Sequence, residues 1–149
     1  MLLRNCASFG KLVFSLRVVP HSKHGAALKS FDKAVRDCIE QFLCCSFSDS
    51  EWSLANLSTK MGGLGLHSVE HHSSAAFLSS QAACHELCIK LDSDYRWDPN
   101  NTQSDSYAAL TDFNTKVQPD KQIQLAEDTR PRQQIMSQAI DSNTLKIIR

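Results

Sequence analysis

Apolar residues recur along the first third of the chain at alternating steps of three and four. Leu2, Cys6, Phe9, Val13 and Leu16 lie on one face of a helix spanning 2–17. Pro20 ends that helix, and residues 18–22 read as an extended connection because a residue before proline avoids the α region. A second stripe, Leu28, Phe31, Val35, Cys38, Phe42 and Cys45, is widened by Ala27, Ala34 and Ile39. Its opposite face carries Lys29, Lys33, Arg36, Asp37 and Glu40, with Lys33–Asp37 and Arg36–Glu40 one turn apart. The short link between these two helices predicts an antiparallel hairpin.

Ser48 and Glu51 have the spacing of a capping box, which predicts a short helix carrying Trp52, Leu54 and Leu57. Gly62-Gly63-Leu64-Gly65-Leu66 breaks it. Gly62, Gly63 and Gly65 permit positive φ and close backbone approach, with Leu64 and Leu66 expected to point inward. No Gly-Lys-Ser/Thr follows, so the turn does not read as a phosphate loop. Ser68 caps a helix over 69–91, one side of which is Ala75, Ala76, Ser79, Ser80, Ala82 and Ala83. Such small residues let neighbouring helices come close, so this helix is expected at the centre of a bundle, with Phe77, Leu78, Leu87, Ile89 and Leu91 at its edges. Residues 92–106 form a polar loop tethered by Tyr95 and Trp97. Beyond it, Leu110, Phe113 and Val117 predict a short helix capped by Ser106, and Ile135, Ala139 and Ile140 a last one. The fold class is all-α: a small helical bundle over 1–91, the loop 92–106, and helical fragments over 107–149, loosely packed from about residue 118.

Hydrophobic content of 42% and charged content of 21% are those of an ordinary globular chain. No apolar run approaches the roughly 18 residues of a membrane span. The net charge of +0 conceals an asymmetry. Residues 1–36 hold seven Lys/Arg (Arg4, Lys11, Arg17, Lys23, Lys29, Lys33, Arg36) against Asp32 alone, whereas 37–128 hold five against fourteen acids. The basic third can face the phosphates of RNA or DNA, or it can be neutralised by the acidic part within the fold. Six cysteines in a chain with no signal-peptide pattern read as free thiols in a reducing compartment, with Cys6, Cys38 and Cys45 buried on helical faces. An intracellular setting, nuclear or cytoplasmic, follows. The acid-free amphipathic N-terminus also has a transit-peptide character, although the same residues fit a packed helix.

Catalytic signatures are missing. His67 and His71 stand one helical turn apart beside His72, and Cys84-His85 stands near Cys88, but neither group has the paired-knuckle spacing of a zinc site. They read as surface histidines and half-buried cysteines, and no metal or cofactor is expected. No nucleophile elbow or activated thiol pattern appears.

Several segments together resemble one family. Leu16-Arg17 and Pro20, Phe31-Asp32, the trio Asp49, Trp52 and Ala55, then Leu57 and the Gly62–Leu66 turn follow in order. Ala75-Ala76-Phe77-Leu78-Ser79-Ser80 comes next, and Gln133–Ser137 with Ile140-Asp141 closes the series. This order resembles the region just after the palm in reverse transcriptases of non-LTR, LINE-type retrotransposons. The resemblance implies a thumb-like helical bundle that holds a template–primer duplex through its backbone. It also implies what is lacking: the palm's Tyr-x-Asp-Asp box is absent, and the chain has no Asp-Asp pair. Two-metal nucleotidyl transfer needs those carboxylates. The expectation is therefore a catalytically inactive fragment or remnant with weak nonspecific nucleic-acid binding. A helical protein-interaction module, its partner unspecified, is the alternative.

Overall fold

The computed structural model describes residues 9–98, 101–125 and 131–148. All regular structure among them is helical: α1 (Phe9–Val18), α2 (His21–Leu43), α3 (Asp49–Asn56), α4 (Val69–Leu91), α5 (Asp105–Thr115) and α6 (Gln133–Ile148). Single 3-10 turns lie at Thr59–Met61 and Pro119–Lys121. No helix of the described residues is long and apolar enough to cross a membrane.

The predicted α1 stripe survives where it is described. Leu16 is fully buried, with Phe9 and Leu12 packed beside it, while Leu2 and Cys6 lie outside the described residues. The extended connection over 18–22 is shorter than expected. Val18 is still helical and His21 already is, with Pro20 as the N-cap between (φ −70°, ψ 149°). Proline suits this place because its fixed φ matches the non-helical cap, and its carbonyl still accepts from Lys23 N–H at 3.0 Å.

The two helices do not form the expected hairpin. Each packs on α4 instead, and Leu16 and Leu28 meet over Val69 and Ala76. Nor is the α2 stripe buried as predicted. Leu28 and Ile39 are buried and Phe31 and Val35 half-buried, but Cys38, Phe42 and Cys45 are exposed. Only one side of α2 is covered at that end, where Ile39 packs with Ala55 and Leu66. Cys45 is not helical at all. Cys44 turns left-handed (φ 52°) and the Cys45 N–H closes on Glu40 O at 3.1 Å, a Schellman ending. The described cysteines are thus exposed thiols, apart from half-buried Cys88.

Arg36 joins α2 to α3. It contacts Glu40 Oε1 and Asp49 Oδ1, each at 2.9 Å, donates to the Phe47 carbonyl, and lies 5.8 Å from the Trp52 ring centroid. The capping box forms as predicted: Ser48 Oγ accepts from Glu51 N, and Glu51 Oε2 accepts from Ser48 N at 2.7 Å.

The glycine turn then folds back on the end of α3. Leu64 N, Gly65 N and His67 N donate to the carbonyls of Ala55, Leu57 and Asn56 at 3.0, 2.8 and 3.1 Å. Those are carbonyls that a helix end leaves without internal donors. Gly62 and Gly65 have φ of 87° and 70°. Gly63 serves differently: a Cβ there would collide with the carbonyl oxygens of Leu57 and Leu54. Leu66 is buried, but Leu64 is 51% exposed, because left-handed Gly65 between them breaks the alternation that would align both inward.

α4 is central, packed against α1, α2, α5 and α6. Val69, Ala75, Ala76 and Leu78 have no exposed surface, and Ser73, Ser74 and Ser79 are buried with them. The far end, with Leu87, Ile89 and Leu91, runs out into solvent. α4 starts at Ser68, whose hydroxyl accepts from His71 N, as predicted. Asp32 of α2 reaches the same terminus, accepting from Ser68 Oγ, Val69 N and Glu70 N at 2.6, 2.9 and 3.2 Å. A carboxylate on the first amides of a helix is favourable in both hydrogen bonding and dipole.

The main cluster joins Ala75, Phe77 and Leu78 to Trp97, Leu110, Phe113, Val117, Leu125, Met136 and Ile140. The segment after 118 therefore ties into the bundle more firmly than expected, although Ile135 is 62% exposed and Met136 takes the inward place. The cap of α5 is Ser104, not Ser106. Ser106 is buried and accepts from Trp97 Nε1 at 3.2 Å, which anchors the polar loop.

α4 and α5 are joined by Asp112, which accepts from Ser74 Oγ at 2.5 Å and Lys116 Nζ at 2.7 Å. Burial pushes the Asp112 carboxyl up, but the bonds from Lys116 and Ser74 and the charges of Lys116 and His21 outweigh it and hold it below the ordinary value. The unfolded chain then binds the extra proton at acid pH. This part of the stability is full above the ordinary carboxylate range and is lost as pH falls through the folded pKa. Asp112→Asn is expected to flatten the acid limb of a stability–pH profile measured by urea unfolding.

The turn makes a second prediction. Gly63→Ala should cost about 3 kcal/mol, since backbone must move, whereas Gly62→Ala meets open space and carries only the left-handed penalty of about 1–2 kcal/mol. Denaturant midpoints of the two variants measure the difference.

Candidate functional site

Of the seven basic residues singled out in the sequence, Arg4 lies outside the described residues. The other six occupy α1 (Lys11, Arg17) and α2 (Lys23, Lys29, Lys33, Arg36). Four of them are engaged. Arg17 donates from Nε and Nη2 to Gln133 Oε1 at 3.1 and 2.9 Å. Lys29 lies 3.5 Å from Glu70, Lys33 lies 2.6 Å from Asp37, and Arg36 is held in the clasp with Glu40 and Asp49. Lys11 and Lys23 are exposed and have no such partner among the described residues.

One residue joins this face that sequence reasoning passed over. Phe14 is 76% exposed on α1, one turn from both Lys11 and Arg17. An aromatic ring between two cations is a platform on which an unpaired base can stack. Its signal was present in the sequence, since Phe14 falls off the apolar stripe of α1.

A different constellation lies beneath the glycine turn. Asp141 of α6 is 3% exposed and His72 of α4 is 3% exposed. His72 Nε2 is 3.3 Å from Asp141 Oδ1, and His67 Nδ1 is 4.0 Å from Oδ2. The Ser58 N–H donates to Oδ2 at 3.3 Å. The two imidazoles meet edge to face at 5.2 Å, and Phe9 sets its ring against both. Burial pushes the Asp141 carboxyl up, but the hydrogen bond and charge of His72, the charge of His67 and the Ser58 N–H together hold it below its ordinary value. A cavity of about 220 Å³ opens beside the pair, lined among others by Asp32, Trp52, Asn56, His72 and Asp141.

The helical pairing of His67 with His71 does not occur. His67 precedes α4 and is itself left-handed (φ 48°), so its ring turns toward His72, while His71 is exposed. Asp141 could not be found from spacing, because it comes from the other end of the chain. Cys84, His85 and Cys88 do not converge as ligands either. Cys84 is exposed, and His85 packs its ring against Trp97 and Tyr95 at 5.5 and 6.0 Å. Among the described residues, His67, His72 and Asp141 are the one group of three or more such side chains within metal-holding distance.

Another Ser–His contact, Ser73 Oγ to His21 Nδ1 at 2.9 Å, has the polarity of a structural bond. The Ser73 hydroxyl gives its proton to the Glu70 carbonyl at 2.8 Å, so the imidazole is the donor and not a base.

No protein-family model matches this chain, and neither does any curated protein or solved structure.

Removing His72 takes from the buried Asp141 carboxylate the largest of its compensating contacts. His72→Ala is expected to cost about 3 kcal/mol or more, and His71→Ala on the neighbouring position to stay within about 0.5 kcal/mol. Urea unfolding followed by far-UV circular dichroism checks both.

Proposed function

We propose that this chain is a thumb-like fragment or remnant of a non-LTR retrotransposon reverse transcriptase, with no catalysis of its own and weak, sequence-independent affinity for a nucleic-acid backbone. The observation that carries this reading is where the resembling segments lie. They are far apart in the chain, yet they meet around the start of α4. Asp32 of the Phe31-Asp32 pair holds the first amides of α4, and the Gly62–Leu66 turn closes the end of α3 above it. Ala75 and Ala76 are fully buried, and Asp141 of Ile140-Asp141 reaches His72. Segments that share one architectural task are what a common ancestor would retain together.

The binding surface in this reading is the α1 side with Lys11 and Phe14, with Lys23 of α2 as a further exposed cation. Lys29, Lys33 and Arg36 contribute less, because a phosphate must displace an acid already in place. Two cations of α1 and α2 without a partner among the described residues, on a chain of zero net charge, make for weak binding that salt removes quickly. Fluorescence anisotropy with a labelled RNA–DNA duplex tests this. The expected log–log salt slope is about −2, and Lys11→Glu with Lys23→Glu should abolish binding while Lys33→Glu changes it little. Absence of binding at low salt would remove the functional half of the proposal and leave the ancestry.

A second reading, a helical interaction module, is favoured by one observation. Leu87 and Leu91, one turn apart at the end of α4, are 57% and 81% exposed, and Phe42 at the end of α2 is 77% exposed. A monomer by sedimentation that binds no hydrophobic dye would count against it.

A further inference from the structure

Three side chains with metal-binding donors converge from two distant parts of the chain: His67 just before α4 and His72 in its first turn, and Asp141 from α6. One donor atom of each lies within 4.8 Å of the others. We propose that His67, His72 and Asp141 bind a single divalent transition-metal ion of zinc-like character, which clamps the glycine turn to α6.

The spacing is close to what such an ion demands. Tetrahedral zinc, with ligands at about 2.0–2.2 Å, sets its donor atoms roughly 3.3–3.5 Å apart. His72 Nε2 and Asp141 Oδ1 are 3.3 Å apart, and His67 Nδ1 lies 4.0 Å from the other carboxylate oxygen, Oδ2. Two imidazoles and a carboxylate form a borderline donor set suited to zinc, whereas calcium and magnesium take oxygen ligands throughout. Three protein ligands leave a fourth position, and the His67 side chain, 30% exposed, lies where water can reach it.

Burial points the same way. The His72 and Asp141 side chains are 4% and 5% exposed, so the carboxylate depends on its neighbours for compensation. A dication between them supplies more than imidazole alone. His67 carries the cost of a left-handed conformation, and that conformation brings its ring to the cluster. One feature moderates the affinity. Among the described residues His72 Nδ1 is buried without a hydrogen-bond partner, so the ring lacks there the outer acceptor that strengthens most metal-bound histidines. Binding in the roughly micromolar range is expected, not the far tighter range of closed four-ligand sites. The unfolded chain holds Asp141 far from the two histidines, so the ion stabilises the folded state by mass action.

The test uses the full chain, stripped of metal and with its exposed cysteines alkylated, titrated with Co²⁺ and with Zn²⁺. One ion per chain is expected, with a Co²⁺ d–d absorption band and a Tm that rises with zinc. His67→Gln, which lies in the turn and keeps the buried pair, should weaken binding by at least about tenfold, and His71→Ala should leave it unchanged. If His67→Gln loses its helical circular dichroism, imidazole ¹H–¹⁵N spectra of the unsubstituted chain decide instead. Zinc should then shift the ring signals of His67 and His72. No Tm rise, binding equal in the folded His67→Gln variant, or shifts confined to His71 or His85 would each overturn the proposal.

Discussion

The close approach of four helices to α4 is the constraint on which the rest of the fold depends. It is possible because Ser73, Ser74, Ala75, Ala76 and Ser79 present almost no bulk and are almost fully buried. Small side chains bring backbones together, but each buried hydroxyl then needs a partner. All three have one: Ser73 bonds the Glu70 carbonyl, Ser74 the Asp112 carboxylate, and Ser79 the Ala75 carbonyl. Asp32 fixes where this helix begins, and the glycine turn fixes the angle at which the chain enters it. Loss of any of these leaves the others without a reference.

The same helix collects the polar residues that give the molecule its chemical character. Its first turn faces Asp32, its His72 faces Asp141, and its Glu70 draws Lys29 from α2 and Lys116 from the cap that ends α5. Charge that looked available for a partner is thereby largely spent within the fold. Of the described basic residues on α1 and α2, Lys11 and Lys23 stay open, and Phe14 on α1 is exposed.

The histidine cluster shows where linear reading fails. Helical spacing puts His67 beside His71, since both would lie on one face if the helix began before Ser68. The helix begins after it, the turn reverses the direction of His67, and residue 72 becomes the neighbour instead. Likewise Cys38 and Cys45 match an apolar period, yet among the described residues nothing covers that side of α2. Leu64 and Leu66 have equal claim to the interior until left-handed Gly65 separates them.

The sequence by itself determined the element inventory. Period-three-and-four apolar steps marked α1 and α2, a capping box marked α3, Ser68 marked the start of α4, and three glycines marked the corner between. These are local signals, because capping, φ preference and amphipathic period act within a turn or two of the chain. The alanine and serine run also foretold a central helix. Only the tertiary structure decided which helices touch, which face of each is covered, and which charges are paired. It sent α1 and α2 onto α4 instead of onto each other, brought Met136 and Ile140 into the core, and joined Asp141 to His67 and His72. Those outcomes depend on surface burial and on partners distant in the chain, neither of which local periodicity encodes.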